Sequence, residues 1–369
     1  MGESVDRAAA LVTELAAGQA EEWDERAELP RELIRELGAK GALCADVPES
    51  FGGLGLDSQD NGRLIAATGE TCSSLRSVMT SQGIAAWAVS RFGSAAQKAE
   101  FLPRLTSGET AGVAFSEPAA GSDLAAMSTE IVQDGDTIVV TGSKSWVTGA
   151  HYASLLVVFG RFGNGAAMVV VPTDAPGVSV ERIPSPLGCR AAGHASVRMD
   201  RVRVPAHHLL GGAGMPIMML VSSPLTHGRI SVAWGCVGIL RACLREVVRH
   251  SSQRVAFGSP LSQHQLVQRH IAELYAGERT ATYACEHASL EWDTKKPRYM
   301  ATAVLAKHVA AEQAARGAAS AVQVLASAGA RSSHVVARAY RDAKLMEIIE
   351  GSSEISQVLL ADEAMTVWA

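Results

Sequence analysis

The chain has 369 residues, 47% of them hydrophobic and 19% charged, which suits a folded protein with two or three core-bearing units or one large composite fold. A net charge of −5 supplies no basic field for a polyanion, so nucleic acid is not expected as a partner. Cys44, Cys72, Cys189, Cys236, Cys243 and Cys285 are scattered without CxxC spacing, which argues against a zinc site or a disulfide framework.

The amino-terminal stretch carries early acidic residues and is read as an amphipathic helix rather than a signal peptide. Helical spacing recurs at 6–17, 30–40, 62–70 and 95–105, which defines an all-α domain over residues 1–112. The glycine-rich loop at 48–56 does not fit GxGxxG and has no strand before it, so it gives little support to nucleotide binding.

From about residue 130 the period shortens. Runs rich in β-branched residues around Asp134-Gly135-Asp136 and around Asn164-Gly165 read as two hairpins, the second with Asn-Gly as its turn. Residues 178–183 and 195–204 alternate inward and outward positions, so a small antiparallel β-domain is expected over 113–212.

Helical spacing returns at 213–369, with Trp234, Val237, Leu240, Leu244 and Val247 on one face. The apolar run at 230–240 is too short for a membrane span and is bracketed by Arg229 and Arg241. A helix–strand–helix order predicts an α+β architecture, with a bundle assembled from both ends of the chain. No membrane association is expected, and a cytoplasmic location is the default. There is no P-loop, GxSxG or HExxH, and His207, His208, His264 and His270 lack a carboxylate at metal spacing, so no metal is expected.

Five blocks carry a more specific signal: AFSEPAAGSD at 114–123, GSKSWVTG at 142–149, VRVP at 202–205 followed by Leu210-Gly211, RVAFG at 254–258 with Gln265, and RDAK at 341–344 with IEGSS at 349–353. In order and separation they resemble the acyl-CoA dehydrogenase family; the resemblance covers nearly the whole chain and implies a C-terminal four-helix bundle. It implies an FAD-dependent acyl thioester dehydrogenase in which Glu350 removes the proton next to the thioester carbonyl while hydride leaves the β-carbon for flavin N5. Burial would raise the pKa of this base, and hydrogen bonds from its own N–H and a flavin ribityl hydroxyl would stabilise the enolate-like charge. By the same resemblance, Phe115, Ser116, Gly121, Ser122, Trp146, Val147 and Thr148 would hold the flavin ring. Arg254, Phe257, Gln265, Gln323, Ala326, Ser327, Ser352 and Glu354 would meet other parts of FAD, some of them across a subunit boundary. Ser122, Thr226, Arg229 and Gly351 would lie along the substrate.

The resemblance further implies a homodimer or a dimer-of-dimers tetramer, with an electron-transfer flavoprotein or another acceptor as redox partner. Some relatives place the base just before the arginine of an earlier helix; here Gly228 precedes Arg229 and cannot serve. Thr226 stands where many relatives have an Asp that contacts the adenine of coenzyme A. That departure favours an acyl carrier protein over CoA as thioester carrier, as in the acyl-ACP dehydrogenases of polyketide extender-unit pathways. Ala326 and Ser327 replace a Gly-Gly pair where backbone comes close to the cofactor of the adjacent subunit, and Glu354 replaces a common Gln near the adenine. A flavin oxidase or monooxygenase of the same fold and a non-catalytic carrier-binding homologue stay open as alternatives, as does oxidation of a hydroxyacyl carbon–oxygen bond.

Overall fold

A computed structural model describes residues 2–369. The first third forms α1 (Gly2–Ala16), α2 (Ala20–Arg26), α3 (Arg31–Ala39), α4 (Ser58–Thr71), α5 (Ser73–Phe92) and α6 (Ala95–Thr106). Side-chain caps fix two of the starts. Asp57 accepts the Asp60 N–H at 2.8 Å ahead of α4, and Ser94 and Gln97 form a reciprocal capping box ahead of α6. Helix α5 has no counterpart among the expected segments. Every residue from Ser73 to Ala86 is buried, the polar Ser73, Arg76, Ser77, Thr80 and Ser81 included, so the helix lacks the solvent-facing side that marks an amphipathic segment.

The middle unit comprises β1 (Ala111–Ala114), β2 (Glu130–Asp134), β3 (Thr137–Val147), β4 (Leu155–Phe162), β5 (Gly165–Pro172), β6 (Val178–Arg182), β7 (Ala195–Pro205) and β8 (Leu209–Met215). Their order is β6-β7-β3-β2-β4-β5-β8, with β1 alongside β4. The sheet is not wholly antiparallel as expected. β1 enters from the helical domain and runs parallel to β4, and β2 touches β4 in parallel at Glu130–Arg161. The second hairpin also turns one residue earlier than its Asn-Gly suggests. Phe162 pairs with Gly165, which leaves Gly163 and Asn164 at the tip, and Gly163 takes the positive φ of 55°. The sheet begins two residues before and ends three residues after the expected 113–212 segment.

The remainder folds as α7 (Ile217–Gln253), α8 (Gln265–Asp293), α9 (Tyr299–Leu325), α10 (Val335–Met346) and α11 (Ser353–Trp368). Helices α7, α8 and α9 pack on one another, α4 from the first third packs on α7, and α10 closes over α7 and α9. Their apolar faces merge into a single core that includes Leu64, Leu75, Trp234, Leu240, Ala310 and Met346. No helix among the described residues is long and apolar enough to cross a membrane. All six cysteines are buried and unbridged.

Candidate active site

Helix α10 stops at Met346, and the turn after it holds Glu350 at φ 54° and Gly351 at φ 93°. A left-handed backbone is unfavourable for a side chain as large as glutamate and persists only where its surroundings enforce it. Two cations do so here. Arg229 Nε, on α7, donates to the Glu350 carbonyl at 3.1 Å, and Lys307 Nζ, on α9, donates to the Gly351 carbonyl at 2.6 Å. Ser352 then starts α11 by accepting the Ile355 N–H. The Glu350 N–H meets no acceptor among the described residues.

This geometry turns the Glu350 side chain inward. Although the residue as a whole is partly exposed, its Oε2 atom is shut off from solvent and has no hydrogen-bond partner. Burial raises the carboxyl above its ordinary value of 4.5, and Arg229, Lys307, His227 and Arg76 oppose that rise from a distance. Burial also lowers the pKa of Arg229, and it lowers that of Lys307 to about 8.

The carboxylate lies in a wall between α5 and α7. A Cβ on Gly228 would stand 2.6 Å from Glu350 Oε2 and 2.7 Å from Ile84 Cδ1. One turn along, Thr80 Oγ1 and Ser231 Oγ are 2.7 Å apart. A further turn along, a Cβ on Gly235 would stand 2.7 Å from Arg76 Cδ. Beside this row, His227 Nε2 bonds Asp46 Oδ2 at 2.7 Å, and its ring stacks on Trp87 with centroids 5.7 Å apart. Together with Trp234 and Trp292 these residues line a cavity of about 170 Å³.

A second constellation lies on the β-unit. Between Lys144 and Val147 the pairing of β3 with β7 slips by one residue, and within that bulge Trp146 takes φ 57° and turns its ring outward, 53% exposed. Val147 is buried, and Thr148 Oγ1 lies 3.2 Å from His194 Nδ1. His194 Nε2 is buried without a partner, and burial depresses this histidine to about 4. The strand is tied to the loop before it by a buried ion pair, Lys144 Nζ to Glu117 Oε1 at 2.8 Å, while Lys144 also donates to the Phe115 carbonyl at 3.0 Å. Glu117 accepts from the Ser128 N–H, the Ser128 hydroxyl and the Thr129 N–H. Ser116 carbonyl receives the Ser145 N–H at 2.9 Å, and Phe115 stacks on Phe159. Thus Phe115 and Ser116 lie beside the Ser145–Thr148 stretch, where Trp146 faces outward and Val147 is buried beneath, while Gly121 and Ser122 stand exposed on the loop beyond.

Other residues singled out from the sequence lie elsewhere. Arg254, Phe257, Gln265, Gln323, Ala326, Ser327 and Glu354 are exposed, and Phe257 is 98% exposed with φ 49°. Thr226 is fully buried, and its hydroxyl donates to the Ser222 carbonyl of its own helix at 2.7 Å. Sequence reasoning missed Glu117, Lys144, Lys307, Ile84, Arg76 and His227. The pairing of Glu117 with Lys144 had a signal, since both lie inside the quoted motif blocks; the α5 residues had none.

Comparison with known proteins gives a consistent assignment. Profiles of the N-terminal, middle and C-terminal domains of acyl-CoA dehydrogenase match residues 3–109, 112–202 and 212–365. The mitochondrial short-chain specific acyl-CoA dehydrogenase of Mus musculus is 33% identical over 339 residues, 90% of this chain and 82% of that protein. The solved structure of FkbI, for biosynthesis of the methoxymalonyl extender unit of the Fk520 polyketide, is similar at 57% identity with a TM-score of 0.93, covering 97% of this chain and 99% of that one. A glutaryl-CoA dehydrogenase from Mycobacterium smegmatis in complex with FADH2 matches with a TM-score of 0.92 at 26% identity, over 98% of this chain and 94% of that one.

Proposed function

The chain belongs to the acyl-CoA dehydrogenase family of FAD-dependent oxidoreductases, and on that premise we propose that Glu350 is the base that takes the α-proton of its acyl thioester substrate. The observation that carries this reading is Oε2 of Glu350, shut off from solvent and without a hydrogen-bond partner, on a carboxyl whose pKa burial raises. An exposed carboxylate is too weak a base for an α-proton; enclosure strengthens it. The free Glu350 N–H points to a second task, donation to the thioester oxygen as negative charge develops there. Arg229 and Lys307 hold the two carbonyls of the turn, so base and donor keep a fixed relation.

The residues present fit FAD. The outward Trp146 ring and the partnerless buried nitrogen of His194 beside Thr148 leave a flat apolar face next to polar atoms in need of a ligand. Phe115, Ser116, Ser122, Trp146 and Thr148 would hold the ring system, and the bound flavin supplies the hydride acceptor for the β-carbon. Arg254, Phe257, Gln265 and Gln323, exposed on the bundle, would reach the cofactor of a second subunit, which makes the working unit a homodimer or a pair of dimers. A separate electron-transfer flavoprotein would reoxidise the enzyme.

The substrate is proposed to ride on an acyl carrier protein in the supply of a polyketide extender unit. The 57% identity to FkbI supports this, as does Thr226, whose hydroxyl is turned into its own helix and offers nothing to an adenine. Anaerobic bleaching of the flavin by the same acyl group on CoA and on carrier protein tests the reading. Faster bleaching by the carrier-bound form is expected. Equal rates would overturn the carrier assignment, and no bleaching by any acyl thioester would overturn the role of Glu350.

A further inference from the structure

Away from the Glu350 turn, three side chains with metal-binding chemistry meet at the seam between the helical first third and the β-unit. His207 and His208 end the short 3₁₀ turn Ala206–His208 between β7 and β8, and Glu100 stands on α6. One ligand-capable atom from each residue lies within 4.8 Å of the other two. Along the sequence the two histidines have no carboxylate at metal spacing; the fold brings them one from a distant helix.

The surroundings hold the trio in place. The His208 ring is buried, with the Phe101 ring edge-on at a centroid distance of 5.3 Å and the Val170 carbonyl 2.7 Å from Nδ1. A carbonyl only accepts, so Nδ1 carries the hydrogen and Nε2 of the neutral ring presents a lone pair. Metal-ligating histidines are commonly oriented through the other ring nitrogen in this way. His207 Nε2 already stands 3.4 Å from Glu100 Oε2, and the two imidazole rings are 4.7 Å apart. Gln97 lies on the same face of α6 as Glu100 and donates its side-chain amide to the carbonyls of His207 at 2.6 Å and Leu209 at 2.7 Å. That clamp fixes the turn against α6 before any ion arrives, which lowers the ordering cost of binding. The neighbouring Arg104 is engaged elsewhere, with Nε 3.1 Å from both oxygens of Glu109 and Nη2 at 2.7 Å.

We propose that Glu100, His207 and His208 form a zinc site that joins α6 to the β7–β8 turn, with water in the fourth position. Two imidazoles and a carboxylate are ligands that zinc accepts in a tetrahedron, whereas magnesium demands an octahedron of oxygens. Zinc holds such ligands at about 2.0–2.2 Å, so the three atoms must draw closer than they now stand. Glu100 and His207 are exposed and can rotate inward, while His208 stays fixed. None of the three belongs to the Glu350 turn or the Trp146 edge, so the ion ties two domains together and takes no part in thioester chemistry.

The test uses the untagged, FAD-loaded protein, stripped of metal with a chelator and titrated with zinc chloride by calorimetry. One equivalent should bind, and about a hundredfold excess of magnesium should not displace it. Loss of even an outer-shell partner weakens metal sites by about 10–100-fold, so Glu100→Gln and His207→Asn should each weaken zinc binding by at least about tenfold. Both side chains are exposed, so the variants should keep their fold and their FAD. Zinc should also slow hydrogen–deuterium exchange across residues 205–210 of the parent and leave that segment unchanged in the variants. Absence of a one-equivalent event up to about 100 μM zinc overturns the proposal without need of any variant. So does a variant that binds zinc as tightly as the parent, or protection that appears only in other segments.

Discussion

Gly228 and Glu350 share one volume: a Cβ on the glycine would stand 2.6 Å from Oε2 of the glutamate. The two positions at which a base could be placed, one on α7 and one after α10, thus converge on the same point in space, and only one can hold a side chain. The absence of atoms at 228 is what lets the carboxylate at 350 enter. Gly228→Ala should displace it and slow anaerobic flavin reduction at least tenfold without loss of FAD. The paired change Gly228→Glu with Glu350→Gly should recover part of the rate, because it returns a carboxylate to that point from the other helix.

Removing the charge while keeping the shape isolates the chemical role of Glu350. A positioned base contributes about 10²- to 10⁴-fold. Glu350→Gln should lower the rate of flavin reduction by at least that range in stopped-flow measurements, while thioester binding, read from the flavin spectrum, persists.

The rate of flavin reduction should depend on pH in a direction set by burial. The carboxyl must be ionised to accept a proton, and burial raises its pKa above 4.5, so the rate should climb with pH through a limb above the usual carboxylate range. Arg229 and Lys307 counter that rise. Lys307→Met removes a cation that favours the ionised form, so it should move the limb to higher pH. A limb that moves lower, or does not move, would contradict the electrostatic account.

The ion pair between Glu117 and Lys144 governs stability rather than chemistry. Burial alone would raise the Glu117 carboxyl, but hydrogen bonds from Lys144, Ser128 and Thr129 prevail and hold it at about 2. Burial pulls Lys144 down to about 8. Because the folded form of Glu117 has the lower pKa, its contribution is complete above the ordinary value of 4.5 and is lost as pH falls toward 2. Lys144→Met leaves a buried carboxylate alone and should cost about 3–5 kcal/mol in denaturant unfolding. Glu117→Gln should flatten the acid limb of the stability curve.

The sequence was informative wherever an element has one wet face or a turn with fixed chemistry. The alternation along β7 and the helical rhythm of α7 beyond residue 240 each reflect a boundary between core and solvent, whereas residues 230–240 of α7 are buried on every side. Helix α5 has no such boundary. It is enclosed on every side, so its serines, Arg76 and Gln82 read as polar noise among apolar residues until the fold shows what they face. Motif blocks pointed to Glu350, Arg229 and the Trp146–Thr148 edge, positions that local backbone geometry sets. They could not locate Lys307 or Ile84, whose roles arise only where helices distant in sequence meet. The same limit applied to the hairpin tip: Asn-Gly is a sound local signal, but strand register moved the turn to Gly163.

The two cationic pins on the Glu350 turn come from α7 and α9, and the turn itself follows α10. On the role proposed for Glu350, a growing polypeptide therefore lacks its base until the turn after α10 has been made and α7 and α9 have closed on it. On that role, turnover requires that translation run through residue 350 and that the bundle close around it.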